Sequence, residues 1–222
     1  MFAPQRLLLL DTAGPAIGVA AWVGDELVFL ETTRQIHRAD GWLGPTLAAA
    51  LAVLGDVGAI GVSVGPGAFT GLRVGVATAL GLAIARDVPV RPLSSLALRA
   101  CKASAWRRRS GGGPTEALVL LDAKKDRFYL ERFDIRPGLP RPLAPPRDVS
   151  LAEAVLGPPA AAVGEGVLVG TAMILAAGHL LVEDPGESPV KYGLDLLRDT
   201  ADHRPEQVTC AYLRGADAVP RP

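Results

Sequence analysis

Apolar and polar positions follow strand-like and helix-like spacings in turn along the first third of the chain. Apolar runs at Leu7–Leu10, Ala16–Val23 and Glu26–Thr33 have the length of strands and are separated by short polar turns. Within Gly41–Leu54 the leucines recur at helical spacing, which predicts a helix. Ala59–Val64 is again a short apolar run. The pattern therefore predicts an α/β fold that begins with three strands, a helix and a further strand.

A glycine-rich turn and an unusually apolar helix follow this fourth strand. The sequence VGPGAFTGLRVGVATALGLAIAR passes from the turn Gly65–Gly67 into a predicted helix over Thr70–Arg86. A helix that contacts a single core needs only one apolar stripe, whereas this helix is apolar on nearly every side. We therefore predict that one side covers the sheet and that the other side binds a second molecule.

The next elements complete a recognisable order. Val88–Pro92 predicts a fifth strand, and Ser94 with Ser95 can cap a helix that runs towards Lys102. The order is three strands, helix, strand, helix, strand and helix. It is typical of a ribonuclease-H-like domain, in which an antiparallel meander is extended by parallel strands through helical crossovers.

A weaker copy of this order occupies the second half. Ala117–Leu121 ends at Asp122, and Arg127–Asp134 pairs back across a turn. Two tandem ribonuclease-H-like domains are therefore expected, over residues 1–101 and 116–222. The glycine and proline content of residues 102–115 predicts a flexible connection between them. The remaining predicted elements of the second half are Leu151–Leu156, Ala160–Val163, Val169–Ala177, Leu180–Val182 and Pro189–Thr200.

Charge and cysteine usage narrow the class of protein. Lysine plus arginine and aspartate plus glutamate number 23 each, which argues against a protein that coats nucleic acid. The run Arg107–Arg109 could contact RNA phosphates, but a solvated run is the favoured interpretation. The two cysteines, Cys101 and Cys210, form no disulfide framework or metal spacing. Arg73, Thr78 and several glycines interrupt the most apolar later stretch, and no targeting segment is visible, so we expect a cytoplasmic protein without membrane contact.

Two aspartates at strand ends are the first candidate site. Folds of the actin, sugar-kinase and heat-shock-ATPase type place an aspartate here to hold hydrated magnesium, followed by a glycine turn that wraps phosphates. Asp11-Thr12 is followed by a turn in which Pro15 removes an amide donor, and the turn after Asp122 has no glycine. We therefore predict degenerate phosphate turns, in which the aspartates cap strand ends and orient the hairpins.

The glycine-rich turn is the second candidate site. Its spacing is neither a P-loop nor a dinucleotide fingerprint, so we predict that it aims the helix rather than binding an anion. Thr70 is expected to cap the helix. Arg73 opposes the helix dipole in the first turn, so a partner carboxylate or a carbonyl cluster is expected to receive it. The residues assigned to this motif are Gly65, Pro66, Gly67, Phe69 and Thr70.

Catalytic side chains are scarce. His37, His179 and His203 lack the paired spacing of zinc ligands, and neither cysteine has a histidine beside it for nucleophilic catalysis. No metal site is therefore expected. An enzyme in its own right, a small kinase, an ATPase or a peptidase, remains the alternative to a binding protein.

Several blocks resemble one family in the same sequence order. They are VGPGAFTGLRVGVATALGLA, LLLLDTAGPAIGVAAW, Leu121-Asp122-Ala123 with Phe128-Tyr129, Val163-Gly164-Glu165-Gly166 and Tyr212-Leu213-Arg214. The chain resembles the TsaB (YeaZ) family of bacterial tRNA threonylcarbamoyladenosine biosynthesis. The resemblance covers nearly the whole chain, and it is firmest over Leu7–Leu98.

The resemblance implies a fold and a role. Family members have two tandem ribonuclease-H-like domains of the actin, sugar-kinase and heat-shock-ATPase type. They are non-catalytic and pair with the metal-binding paralogue TsaD, which transfers a threonylcarbamoyl group to an adenosine next to the tRNA anticodon. The ATPase TsaE joins the complex, and homodimers also form. This implies no cofactor for the chain alone, ATP or ADP and a metal ion mainly on the partners, and tRNA contact through the complex.

The resemblance also implies a pairing surface on the two helices of the first domain. The residues expected there are Leu43, Leu47, Leu51, Gly71, Arg73, Val74, Gly75, Ala77, Thr78 and Leu82. Small residues on the second helix would let another helix backbone approach closely. The chain departs from the family pattern at Val64, Ala68 and the pair Lys124-Lys125.

Overall fold

Five strands form the first sheet of the computed structural model, which describes residues 5–34 and 39–213. Their order across the sheet is β3-β2-β1-β4-β5. The first strand pairs antiparallel with the second and parallel with the fourth, which is parallel to the fifth. The strands are β1 (Arg6–Asp11), β2 (Ile17–Val23), β3 (Glu26–Thr33), β4 (Ala59–Gly65) and β5 (Val90–Ser94).

The second sheet repeats this pairing. An antiparallel hairpin, β6 and β7, is extended by two parallel strands on the side of β6, and the order is β11-β10-β6-β7-β8, with β9 also on β7. Two tandem ribonuclease-H-like domains of the actin type are thus confirmed. The strands are β6 (Glu116–Lys124), β7 (Arg127–Asp134), β8 (Arg141–Pro142), β9 (Arg147–Ser150), β10 (Ala161–Val163) and β11 (Leu180–Leu181).

Long helices belong to the first half and short ones to the second. The predicted helix Pro189–Thr200 is divided at Gly193 into a 3-10 turn, Val190–Tyr192, and a final helix. Gly193 packs closely on Leu9, because a Cβ there would lie 2.4 Å from the Leu9 Cδ2. The helices are α1 (Ala39–Leu54), α2 (Phe69–Arg86), α3 (Ser95–Arg109), α4 (Leu151–Ala154), α5 (Gly166–Val169), α6 (Thr171–Ala176) and α7 (Leu194–Asp199).

Helix α3 extends further than its sequence predicts. It continues through Lys102 to Arg109, so the first eight residues of the predicted connection 102–115 are helical. The helix lies between the sheets: Leu98 packs with the first, and Ala100 and Ala103 pack with the second. Burial on both sides holds residues in a helix that local composition assigned to a linker.

The end of the chain returns to the first sheet. Val190 and Leu197 are fully buried in a cluster with residues of β1, β2 and β5. The backbone of His203 exchanges hydrogen bonds of 2.9 and 2.8 Å with Val90. Sequence placed residues 116–222 in the second domain, whereas from Val190 onward the chain packs on the first. This placement depends on contacts between residues far apart in sequence, and the local pattern of apolar and polar residues does not predict such contacts.

Helices α1 and α2 cover the opposite face of the first sheet. Their apolar residues form a cluster with Leu8, Leu10, Ile60 and Val62. Among the described residues, α2 is the helix that is long and apolar enough to cross a membrane by length and composition, and a third of it is buried within the chain. Packing on the sheet accounts for that composition on one side of the helix.

One acidic side chain lies buried in the second sheet. Glu131, on β7, is 8% exposed, and burial raises its pKa from 4.5 to about 7. The folded chain therefore binds this proton more tightly than the unfolded chain. Stability from this group is complete below about pH 4.5 and decreases as the pH rises towards about 7, by on the order of 2–3 kcal/mol.

We expect Glu131→Gln to remove this pH dependence. Urea unfolding should show the variant more stable than the parent at pH 8, with the two chains converging near pH 4.5, where the parent carboxyl is protonated. A parallel pH dependence in both chains would contradict the assignment.

Candidate functional site

The carboxyl ends of β1 and β10 meet at a buried ion network. Arg99 of α3 lies between two carboxylates, with Nη1 3.3 Å from Asp11 Oδ2 and Nε 3.1 Å from Glu165 Oε2. Nη1 also donates to the carbonyl of Ser95 at 3.0 Å. All three charged side chains are at least nine-tenths buried. This network joins the first sheet to the second through the helix between them.

The charges in this network determine the protonation of Arg99. Burial alone would lower its pKa, but the carboxylates of Glu165 and Asp11 outweigh that effect and raise it. The guanidinium therefore stays charged, and removing it would leave two buried carboxylates close together. The charged guanidinium therefore holds the two carboxylates together in one ion triad.

The triad fills the space next to the first predicted phosphate turn. A Cβ at Gly14 would lie 2.2 Å from Glu165 Oε1 and 2.7 Å from Arg99 Nη2. Asp11 Oδ1 accepts a hydrogen bond of 3.2 Å from the amide of Ala13. The turn that would wrap a phosphate in a kinase is thus in contact with side chains of the chain itself.

The second predicted phosphate turn is closed by a local contact. Asp122 accepts hydrogen bonds from the backbone amide of Lys124 at 2.7 Å and from its ammonium at 2.6 Å. Lys124, Lys125 and Asp126 all have positive φ, where a glycine would be less strained. The residues Lys124 and Lys125, where the family usually keeps a glycine, are therefore accommodated by strained backbone. The Asp122 carboxylate, which a metal would need as a ligand, is paired with Lys124.

Two glycines of α2 face inward, against expectation. A Cβ at Gly71 would lie 2.2 Å from the carbonyl oxygen of Thr12, and a Cβ at Gly75 would lie 2.0 Å from Thr12 Oγ1. The Thr12 hydroxyl donates to the carbonyl of Gly71 at 2.8 Å. Assigning Gly71 and Gly75 to a partner surface is therefore wrong, because they admit the end of β1.

The leucines of α1 also belong to the core. Leu43 is 2% exposed and Leu47 is 6% exposed, and both lie in the cluster beneath the two helices. Leu51 is half-buried against the same cluster. Leu43 and Leu47 are therefore corrected from pairing residues to core residues, because the leucine stripe faces the sheet.

The outer face of these helices keeps four of the residues predicted for pairing, Val74, Ala77, Thr78 and Leu82, and adds others. Ala77 and Gly81 are exposed, Ile84 is 70% exposed, and Val53 on α1 is 55% exposed. Between these lie the half-buried side chains of Val74, Thr78, Leu80 and Leu82. We call this set the outer face of α2, together with Val53; it is apolar and largely uncharged.

The glycine-rich turn packs on the hairpin that follows β1. A Cβ at Gly67 would lie 2.4 Å from the carbonyl oxygen of Ala13, and the amide of Ala68 donates to that oxygen at 2.7 Å. The residue at the cap position of α2 is Ala68, without a side-chain cap, so the prediction of Thr70 as the cap is wrong. The turn fixes where α2 begins relative to Asp11.

The C-terminal segment covers the start of α2. The amide of Ala211 donates to Val64 at 2.7 Å, and the rings of Phe69 and Tyr212 have centroids 5.2 Å apart. The Arg73 guanidinium lies 3.8 Å from the centroid of Phe69, and its Nε is 3.4 Å from the Tyr212 hydroxyl. Arg73 is thus held by two aromatic rings of its own chain rather than by a carbonyl cluster.

Other chemistry-bearing residues have structural contacts. His179 is buried, with Nδ1 3.1 Å from the amide of Ala160 and Nε2 3.1 Å from the carbonyl of Val155. Burial raises the pKa of the Cys101 thiol to about 12. His37 lies outside the described residues. Over residues 5–34 and 39–213, no group of three or more His, Cys, Asp or Glu side chains could hold a metal ion.

The fold and these contacts define an actin-like, two-domain protein in which a buried ion triad lies against the turn after β1. Residues 36–160 match the family model described as TsaD: tRNA N6-adenosine threonylcarbamoyltransferase. The chain is 33% identical over 132 residues to the tRNA threonylcarbamoyladenosine biosynthesis protein TsaB of Escherichia coli, covering 58% of this chain and 55% of that one. It is 38% identical over 129 residues to the TsaB of Haemophilus influenzae, covering 57% of this chain and 52% of that one. The chain belongs to this family, among its TsaB (YeaZ) members.

The solved structures agree in fold. YeaZ from Pseudomonas aeruginosa aligns over 94% of this chain and all of its own, with a TM-score of 0.73 at 24% identity. A further solved structure, of a Pseudomonas aeruginosa protein described as having similarity to peptidase YEAZ, aligns over 95% of this chain and all of its own, with a TM-score of 0.77 at 23% identity. The chain spans about half the length of the curated relatives it matches.

Two residues of the ion triad were not predicted from the sequence. Arg99 and Glu165 lie 66 positions apart and meet only because both sheets pack on α3. A weak signal existed: Arg99 is a charged residue in the mostly apolar first turns of α3, and Glu165 interrupts a glycine motif. A buried charge requires a partner, so each residue separately indicated an unknown counter-charge.

Proposed function

We propose that this chain is a non-catalytic, complex-forming subunit of tRNA threonylcarbamoyladenosine biosynthesis, and that it pairs with the catalytic paralogue TsaD. The outer face of α2 is the proposed contact. TsaE and a second copy of this chain are further proposed partners, and tRNA is contacted through the complex. The proposal extends the names of the related TsaB proteins to this chain.

The observation that carries the proposal is the filled cleft. A kinase or ATPase of this fold needs space and free amides at the turn after β1, where Arg99 and Glu165 crowd Gly14. The Asp122 carboxylate is paired with Lys124. These residues do not fit a nucleotide with its metal, so ATP or ADP and a metal ion are assigned to the partners.

The outer face of α2 supplies the second argument. Apolar side chains such as Ile84 and Val53 are exposed beside small residues such as Ala77 and Gly81. Burying such a surface against a partner removes mostly apolar area from water. A helix that already covers the sheet with Leu72, Val76, Ala79 and Ala83 has this second apolar side free.

We expect Ala77→Asp to weaken pairing with TsaD by about 100-fold or more, because it places an unpaired carboxylate in an apolar contact. Affinity can be measured by titrating the labelled chain with TsaD. Ala152→Asp on α4 is the matched control, because Ala152 is an exposed helical alanine in the second domain.

Two outcomes would contradict the proposal. Equal affinity of the Ala77→Asp variant and the parent would remove α2 from the interface. ATP turnover by the purified chain alone, lost on Asp11→Ala, would revive the enzymatic alternative. Circular dichroism and thermal unfolding establish that each variant is folded before its affinity is interpreted.

A further inference from the structure

The C-terminal end of α3 carries a concentration of positive charge. Its last turn contains Arg107, Arg108 and Arg109 in succession, and the last two are exposed. The Arg109 guanidinium lies 5.6 Å from the ring centroid of Tyr192, and the Lys191 ammonium lies 5.1 Å from it. Two cations from separate segments thus flank one half-buried phenol ring.

In the part of the chain that the structure describes, no carboxylate lies within ion-pair distance of Arg108 or Arg109. Glu187 is bound to Lys191 at 2.7 Å and to Lys102 at 3.2 Å. Because Glu187 compensates Lys191, the basic character of this surface rests on Arg108 and Arg109, although the whole chain has no net charge.

The segment after α3 leaves this end of the helix open. Gly111 and Gly112 have positive φ, and a Cβ at either would meet nothing within 4 Å. Their amides bond back to Arg108 and Arg107 at 3.3 and 3.1 Å. Two glycines without side chains in a tight turn therefore leave the arginines accessible to a large ligand.

We propose that Arg108, Arg109, Lys191 and Tyr192 form a basic surface that binds the phosphate backbone of RNA, which here is the tRNA. Arginine and lysine neutralise phosphates and release condensed counterions, and an aromatic ring between them offers a stacking face for a base or ribose. The inference rests on the proposed function, which supplies tRNA as the nucleic acid. It adds a direct contact by this subunit.

A purely helical role makes a different prediction. Cations in a last turn interact favourably with the helix dipole wherever they occur, as Arg86 does at the end of α2. Such a role affects folding and not the salt dependence of RNA binding. Salt dependence therefore separates the two explanations.

The test is tRNA binding by the full chain, alone and in its complex with TsaD. An unmodified tRNA transcript is titrated by fluorescence anisotropy over a series of salt concentrations. We expect Arg108→Ala with Arg109→Ala to weaken binding about ten-fold at low salt and to reduce the log–log salt slope by about 1 to 2. The double variant Arg141→Ala with Arg147→Ala, at exposed positions of the second domain, is the matched control.

The outcomes are distinguishable from failure of the proposed function. An unchanged affinity and slope in the α3 variant, with thermal unfolding within a few degrees of the parent, would overturn the basic surface even if pairing is normal. An equal loss in the control variant would show non-specific charge attraction and would also overturn it. Failure of the parent chain to bind TsaD would contradict the proposed function, while the measurement on the chain alone would still decide the RNA contact.

Discussion

Replacing Arg99 with alanine is expected to lower the free energy of unfolding by about 3–5 kcal/mol. The substitution removes the only guanidinium between Asp11 and Glu165 within the described residues, and both carboxylates stay buried. Breaking one partner out of a buried ion network leaves uncompensated charge, which costs several kcal/mol. Few single substitutions outside the apolar core should cost this chain as much.

Urea unfolding followed by circular dichroism measures this effect. Arg34→Ala is the control, because Arg34 and Asp184 form a pair at 2.8 Å in which both side chains are more than half exposed, and exposed pairs contribute little. Arg99→Lys keeps the charge without the forked geometry and should fall between the two. An Arg99→Ala variant as stable as the parent would show that the triad contributes no net stability.

Placing a methyl group at Gly71 is expected to destabilise the chain by about 1–3 kcal/mol or more. The new Cβ would lie 2.2 Å from the backbone oxygen of Thr12, so α2 would have to move away from β1. A methyl group at Gly81 should instead raise the stability, because nothing lies within 4 Å of a Cβ at that position. Alanine there gains about 0.5–1 kcal/mol of helix propensity.

Thermal unfolding of Gly71→Ala and Gly81→Ala compares two identical substitutions in one helix. Gly75→Ala should behave like Gly71→Ala, with a smaller cost, since the obstacle is the Thr12 side chain. Two variants of equal stability would mean that α2 does not approach β1 as closely as described. The comparison also tests directly whether Gly71 and Gly75 face β1 rather than a partner.

The sequence predicted the first domain well because its elements carry local signals. The predicted bounds of β3 agree with the structure, and α2 begins one residue before the predicted first residue, Thr70. Alternation, helical spacing and the glycine-rich turn are each contained within about twenty residues. Such signals survive without knowledge of the rest of the chain.

The errors share a different cause. The pattern predicted two apolar sides for α2, but it did not indicate that Gly71 and Gly75 lie on the inner side. Glycine has no side chain whose polarity would indicate a face of the helix. The pattern assigned Lys102 to a connection because burial of α3 between two sheets has no local signature. The ion pair of Arg99 with Glu165 joins residues 66 positions apart, and only the tertiary fold brings them together.

The packing of the last segment has a consequence for the order in which the chain can mature. One face of the first sheet is covered by Val190 and Leu197, and the start of α2 is covered by Ala211 and Tyr212. Ribosomes deliver the first sheet long before these residues. The first sheet therefore keeps an open apolar face until Val190 and Leu197 have been made, and the first turn of α2 stays uncovered until Tyr212 follows.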